Sequence, residues 1–145
     1  MKSEKPDGCI FCRESIRDKE LVLCEGKSCY VIMNKYPYNS GHLLIVPYKH
    51  INTLEALSME EKMEMMELLD QSVRCLREMM HPEGFNIGIN IGKAGGAGVD
   101  DHLHLHIVPR WTGDTNFASV VGEVRVIPED VKETRNTLLL FFDKK

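Results

Sequence analysis

Four segments of the chain carry the hydrophobic patterns of β-strands. Leu21–Glu25 and Ser28–Asn34 flank a turn at Gly26, which predicts a β-hairpin. His42–Tyr48 is a nearly continuous apolar run, and Phe85–Ile91 alternates Phe and Ile with Asn and Gly, as a half-buried strand does. A further short strand is expected over Gly122–Ile127.

Another strand is predicted within Asp101–Trp111, where three histidines alternate with large apolar residues. Because successive strand side chains point to opposite faces, His102, His104 and His106 are expected to form a row of imidazoles on an open face. The glycine-rich loop at residues 92–98 precedes this strand, and its backbone can approach a ligand closely. The combination favours a site for a phosphorylated anion over a solvated strand or an adventitious metal site.

Two helices are predicted. Leu57–His81 begins with a capping box formed by Ser58 and Glu61, and apolar residues at positions 59, 63, 66, 69, 73, 76 and 80 predict one buried stripe. Methionines 63, 66 and 80 are interpreted as core residues. Apolar residues at 65, 68 and 79 would widen the stripe, as at a dimer interface or on a broad core-facing helix. A final helix is expected over Glu129–Phe142.

The element order β-β-β-α-β-β-α predicts an α+β fold with a mainly antiparallel sheet of about five strands, one long helix and a C-terminal helix. The 145 residues suit a single domain over residues 1–145, with a loose tail at residues 1–8. A net charge of −4 gives no indication of nucleic acid or a membrane surface as partner, and no apolar run is long enough to span a bilayer. Five cysteines without a secretory signal predict reduced thiols and a cytoplasmic location.

The residues around the histidine strand resemble the histidine triad (HIT) family of nucleotide hydrolases and transferases. The resemblance rests on the glycine-rich loop and the His-apolar-His-apolar-His-apolar-apolar run, together with Asn34, Gly41-His42 before an apolar strand, and Asn90-Ile91-Gly92. It covers most of the chain. Pro109–Phe117 is most similar to the branch that acts on diadenosine polyphosphates, which includes phosphorylases.

The resemblance implies a HIT-like fold and a role for each matching residue. His104 corresponds to the nucleophile that attacks the α-phosphorus and forms a nucleotidyl-imidazole intermediate. His106 would hydrogen-bond the α-phosphate oxygens, and His102 is the first member of the triad. Zinc and ribose binding would lie within residues 9–50, and the phosphate loop and triad within residues 84–117. The substrate-binding residues that it implies are Asn34 for the ribose, Asn90 for phosphate, His42, Gly96, Ala97 and Gly98.

The glycine-rich loop departs from the family pattern at one place. Where many relatives carry Gln followed by Ser or Thr, this chain has Ala97 and Gly98. Because neither residue has a side-chain donor, backbone N–H groups of the loop are expected to contact the leaving group. Lys93 in the same loop is either a contact for a distal phosphate or an uninvolved exposed residue.

Cys9 and Cys12 form a pair that can bind one tetrahedral Zn²⁺. No βαβ pattern follows them, so a thioredoxin-like redox pair fits less well. The resemblance implies that His50 and His102 complete the site, and four protein ligands would make the zinc structural. The alternative is an all-thiolate site completed by Cys24 and Cys29.

These features together predict a nucleotide hydrolase or nucleotidyltransferase that cleaves a nucleoside polyphosphate, first of all a diadenosine polyphosphate. The acceptor is water, which is the commoner acceptor across the family, or phosphate, and a homodimer is expected. Two alternatives stay open: a nucleoside phosphoramidase, and a zinc-stabilised nucleotide-binding protein with little turnover. No redox cofactor is implied.

Overall fold

A five-stranded antiparallel sheet forms the centre of the computed structural model, which describes residues 9–12, 18–97, 101–114 and 130–143. Its strands are β1 (Val22–Glu25), β2 (Cys29–Met33), β3 (Leu43–Pro47), β4 (Gly84–Ile89) and β5 (Leu105–Arg110), and its helices are α1 (Met59–Met80) and α2 (Val131–Phe142). The strand order is β1-β2-β3-β5-β4, and α1 packs on β2, β3 and β5 beside α2, which covers β1. The prediction of an α+β fold with these elements is confirmed.

The β1–β2 hairpin is fastened to α1 by one carboxylate. Glu64 of α1 accepts the backbone N–H groups of Lys27, Ser28 and Cys29 at 3.0, 2.7 and 2.7 Å. A Cβ atom on Gly26 would clash with the Glu64 carboxylate and would lie 2.9 Å from the backbone carbonyl oxygen of Cys29, so only glycine fits at this turn. The hairpin therefore holds β2, and the loop that follows β2, in a fixed position beside the centre of the sheet.

The buried face of α1 differs from the predicted stripe. The capping box of Ser58 and Glu61 is present, but Met59, Met63 and Met66 are 73%, 60% and 60% exposed. The prediction that methionines 63 and 66 belong to the core is therefore wrong. The buried residues of this helix are Glu61, Met65, Leu68, Gln71, Ser72, Cys75 and Leu76.

The buried face of α1 differs from the predicted one because it includes three polar residues, Glu61, Gln71 and Ser72. Glu61 accepts the N–H of Ser58 and forms an ion pair with Lys49, and the hydroxyl of Ser72 donates to the Leu68 carbonyl. The spacing of apolar residues gives no sign of buried polar positions, and for this reason it predicted that the exposed methionines would be buried. Within the described residues, neither helix combines the length and the apolar character needed to cross a bilayer.

The histidine strand begins later than predicted. Strand β5 starts at Leu105, and His102 is 3% exposed, so it does not share an open face with the other two histidines. The preceding residues are held outside the ladder, since the N–H of Leu103 donates to the Ile51 carbonyl and the His102 ring bonds the Pro47 carbonyl. The expected strand over Gly122–Ile127, the tail at residues 1–8 and the substrate contact at Gly98 lie outside the described residues.

Candidate functional site

Two histidines of the predicted row meet a third histidine from the start of β3. His104 and His106 have ring centroids 4.6 Å apart, and His106 Nδ1 lies 2.9 Å from Nε2 of His42. The pairing of β3 with β5 places Leu44 beside His106, which brings the start of β3 and its His42 to this end of the site. His42 is fully buried, whereas the rings of His104 and His106 are partly exposed. The structure therefore groups three of the predicted site residues.

Backbone partners determine which nitrogen of each ring carries the proton. The Tyr38 N–H can only donate, and it lies 3.1 Å from His42 Nδ1, so this nitrogen accepts. Neutral His42 then donates its Nε2–H to His106 Nδ1, which leaves the His106 proton on Nε2. Burial and, secondly, the neighbouring His104 lower the pKa of His106 to about 4, so His106 is neutral at pH 7.

His104 has the opposite proton arrangement. Its Nδ1 lies 2.8 Å from the His102 carbonyl oxygen, which can only accept, so Nδ1 carries the proton. In the tautomer that carries its one proton on Nδ1, the Nε2 atom of His104 is a lone-pair nitrogen, and the adjacent His106 presents an Nε2–H donor. A nucleophilic nitrogen beside a hydrogen-bond donor is an arrangement that can attack a phosphorus centre and stabilise the charge that develops on its oxygens.

Asn34 lies in the loop that joins β2 and β3, next to the buried histidine. Its side-chain nitrogen is 3.3 Å from His42 Nδ1, and its oxygen accepts the N–H of Tyr36 at 2.9 Å. Asp114 ties this loop to the end of β5, because its carboxylate accepts hydrogen bonds from Asn39 and Arg110. The Arg110 guanidinium, as the largest influence, holds the pKa of Asp114 well below its usual range.

A cavity of about 190 Å³ lies beside the histidines, and we call it the Phe11 cavity. The Phe11 ring is 5.0 Å from the ring of His104, and the Phe11 carbonyl accepts a hydrogen bond from Tyr30 at 2.6 Å. The cavity walls combine apolar and polar residues. They are formed by Ile10, Phe11, Leu21, Ile32, Met33 and Leu44, with Asp18, Asn34, Lys35 and Tyr36.

A second cavity of about 230 Å³, the Lys93 cavity, includes His104 itself. Asn90, Ala97 and Lys93 of the glycine-rich loop region line it, and so do Asn52, Asp101 and His102. Gly92 and Gly96 have φ values of +74° and +94°, which explains the glycines at these two positions.

The loop N–H groups do not serve as predicted. The N–H groups of Gly95 and Ala97 donate to the Gly92 carbonyl, and that of Gly96 donates to the Lys93 carbonyl. They are committed to the 3₁₀ turn over Lys93–Gly95, so these three groups are not directed at a ligand. These three groups therefore do not support the expectation that loop N–H groups contact the leaving group, and the N–H of Gly98 lies outside the described residues.

Cys9, Cys12, His50 and His102 form a compact group whose ligand atoms all lie within 4.8 Å of one another. Nδ1 of His102 is 3.6 Å from both sulfurs and 3.2 Å from Nδ1 of His50, which is 3.4 Å from Cys12 Sγ. Ligands around tetrahedral Zn²⁺ are about 3.3–3.8 Å apart, given bonds of about 2.0–2.3 Å. His102 donates its Nε2–H to the Pro47 carbonyl at 2.6 Å, so its Nδ1 lone pair faces the sulfurs. These residues fit a zinc ion.

The all-thiolate alternative does not match this arrangement. Cys24 and Cys29 are not members of the group among the described residues, and they lie in β1 and β2. Burial, with smaller effects from Glu64 and Glu61, raises the pKa of the Cys29 thiol to about 12. A thiol that resists deprotonation is a poor metal ligand.

Several residues of the site were not predicted from the sequence. Ile10 and Phe11 line the Phe11 cavity, whereas the sequence indicated a role only for the flanking cysteines. Asn52 lines the Lys93 cavity. The position of Phe11 between two metal-binding cysteines is the one sequence signal that pointed to it. Nothing in the sequence around Asn52 marks it, because a loop asparagine has many uses.

Residues 17–113 of the chain match the HIT domain. The chain belongs to the histidine triad (HIT) family. It is 42% identical over 124 residues to an AP-4-A phosphorylase of Mycobacterium tuberculosis, covering 85% of this chain and 64% of that protein's length. It is 27% identical over 125 residues to an adenosine 5'-monophosphoramidase of Schizosaccharomyces pombe, covering 86% and 90% of the two chains. A Zn-bound histidine triad family protein from Mycobacterium smegmatis has a TM-score of 0.70 and 31% identity, covering 86% and 84%.

Proposed function

We propose that this protein cleaves diadenosine polyphosphates at the α-phosphate through a nucleotidyl-His104 intermediate. The observation that carries the proposal is the hydrogen bond from His104 Nδ1 to the His102 carbonyl, which leaves Nε2 free to attack phosphorus. The AP-4-A phosphorylase relative at 42% identity supports the choice of substrate. The Phe11 cavity, whose walls combine apolar residues with Asn34, suits an adenine base and its ribose.

In the first step His104 Nε2 forms a bond to the α-phosphorus, and the bond to the bridging oxygen of the departing polyphosphate breaks. His106 donates its Nε2–H to a phosphate oxygen and offsets the charge that develops there. In the second step an acceptor oxygen attacks the same phosphorus and the nitrogen–phosphorus bond breaks, which restores neutral His104. Asn90 is the proposed side-chain amide contact to the phosphate.

We propose inorganic phosphate as the acceptor, since the relative with 42% identity is a phosphorylase. Chromatography of the products from diadenosine tetraphosphate at millimolar phosphate tests both substrate and acceptor. ADP with ATP is the expected pair, and AMP with ATP would show that water is the acceptor instead. A parallel reaction without phosphate is the control, because a phosphorylase then forms no ADP.

The two alternatives give different outcomes in the same assay. The Schizosaccharomyces pombe relative is a phosphoramidase, so cleavage of adenosine phosphoramidate alone would replace the dinucleotide proposal. A nucleotide-binding protein with little turnover would bind AMP yet form no covalent adduct on His104 in a single-turnover experiment. Either result would contradict the proposed activity.

We propose that Cys9, Cys12, His50 and His102 hold one zinc ion with a structural role, as the Zn-bound relative from Mycobacterium smegmatis supports. Four protein ligands leave no open position for substrate or water, so the metal would stabilise the fold and take no part in bond making. The same ligand set needs its two thiols reduced, because only the thiolate form of cysteine binds the metal. A reducing compartment such as the cytoplasm is therefore the proposed location.

We also propose that the protein is a homodimer. Strand β4 is at the edge of the sheet, and its Ile87 is 46% exposed. Met63 and Met66 of α1 are both 60% exposed, and large exposed apolar residues on two elements are typical of an association surface. Sedimentation analysis is expected to give twice the 16.6 kDa chain mass at micromolar concentration. A monomer mass there would contradict the proposal.

A further inference from the structure

The Lys93 cavity and the Phe11 cavity are two separate spaces near the His104 ring. No lining residue is common to the two cavities. The contact between Phe11, which lines one, and His104, which lines the other, with ring centroids 5.0 Å apart, forms the boundary between them. A substrate that places its nucleoside in the Phe11 cavity and its α-phosphate at His104 can direct its remaining phosphates into the Lys93 cavity, because His104 is part of that lining.

We propose that the Lys93 cavity binds a phosphate group beyond the α-phosphate, and that Lys93 is the residue that makes the cavity specific for phosphate. The proposal rests on the proposed function. The phosphate group has two possible sources, the distal part of the polyphosphate chain and the free acceptor phosphate. Both occupy the same region, because an acceptor that attacks in line enters where the leaving group departed.

Three backbone N–H groups of the glycine-rich loop are already engaged within the loop. The N–H groups of Gly95, Gly96 and Ala97 donate within the loop, so they do not supply the anion contacts. Lys93 is exposed, and within the described ranges of the chain it takes part in no ion pair. Its ammonium group and the side-chain amide of Asn52 are two donors in the lining of this cavity.

Asp101 supplies the opposing charge. Its carboxylate belongs to the same lining, so Lys93 and Asp101 contribute one charge of each sign to this cavity. A phosphate group is attracted by the first and repelled by the second. The two residues therefore offer a test in which one substitution weakens the site and the other strengthens it, without a change to His104 or His106.

The test compares Lys93→Met with Asp101→Asn, and Lys27→Met on the exposed β1–β2 turn is the matched control. For the distal phosphate, kcat/KM is measured on diadenosine tetraphosphate and on adenosine phosphoramidate, which has no further phosphate. Lys93→Met is expected to lower kcat/KM on the tetraphosphate about 10- to 100-fold, while the phosphoramidate rate changes less than about twofold. Asp101→Asn is expected to raise the tetraphosphate value, and Lys27→Met to leave both unchanged.

For the acceptor phosphate, ADP formation from adenosine phosphoramidate is followed as inorganic phosphate is varied. Lys93→Met is expected to raise the KM for phosphate about 10-fold or more. A loss in this assay alone assigns Lys93 to the acceptor, and a loss in the tetraphosphate assay alone assigns it to the substrate chain. If the unaltered protein is active and Lys93→Met changes neither quantity, the inference is wrong and the proposed function stands. If the unaltered protein cleaves neither substrate, both fail together.

Discussion

His104→Ala is expected to lower the turnover of diadenosine tetraphosphate by at least about 10³-fold, because the covalent nucleophile is lost. AMP binding is expected to persist, since the Phe11 cavity and Asn34 are unchanged. The measurement is kcat from product formation, with AMP affinity determined by calorimetry on the same preparation. His106→Ala is expected to give a smaller loss, because the nucleophile remains and only a stabilising donor is removed.

The control for this substitution is His81→Asn. His81 is exposed and ends α1 with a φ of +50°, a conformation that asparagine adopts readily. It lies outside both cavities and the histidine cluster, so its replacement is expected to leave turnover within about a factor of two. Retention of more than a few per cent of activity by His104→Ala would show that another group forms the intermediate.

The double substitution Cys9→Ser/Cys12→Ser is expected to abolish the zinc content, which should be one ion per chain in the unaltered protein purified without added metal. Because a metal that binds only the folded state adds about 3–4 kcal/mol at 100–1,000 times its Kd, the Tm is expected to fall by roughly 10 °C. Elemental analysis and thermal unfolding measure the two effects. Cys24→Ser, in β1, is the matched control and should keep both the metal and the Tm.

A second readout follows from the position of the cysteine pair. Ile10 and Phe11 lie between the two cysteines and line the Phe11 cavity, so loss of the metal should also weaken AMP binding. A zinc content that is unchanged in the double variant would contradict the assignment of the ligands. Loss of zinc with full AMP affinity would show that the segment around Phe11 is held by its other contacts, such as the Tyr30 hydrogen bond.

The sheet and both helices could be predicted from the sequence because strand and helix patterns are local. Ser58, Glu61 and the alternation of Phe85–Ile91 each depend on a few neighbouring residues, and for every element except β5 the predicted ends lie within two residues of those observed. The buried face of α1 could not be predicted in the same way. Glu61 and Ser72 are buried because specific partners satisfy them, and those partners are fixed only by the tertiary fold.

The candidate site shows the same division. The alternation of histidines located His104 and His106, whose mutual contact depends on one strand. The direction of the His102 ring could not be predicted from alternation. The ring is hydrogen-bonded to the Pro47 carbonyl, which lies 55 residues away in sequence, and therefore does not share a face with His104 and His106. The cavity walls were missed for a similar reason: Ile10 and Asn52 reach the site from separate parts of the chain.

The proposed zinc site also has a consequence for folding. Cys12 and His102 are 90 residues apart in sequence, so a metal that joins them closes a loop containing α1 and strands β1 to β4. Closing so long a loop costs the unfolded chain much of its freedom, and a disulfide across a similar span removes that freedom permanently. The zinc ligands come together only when the sheet has formed, so the ion would bind late in folding, and its binding would be reversible. A chelator, with no reductant present, should then be able to remove the metal and open this loop.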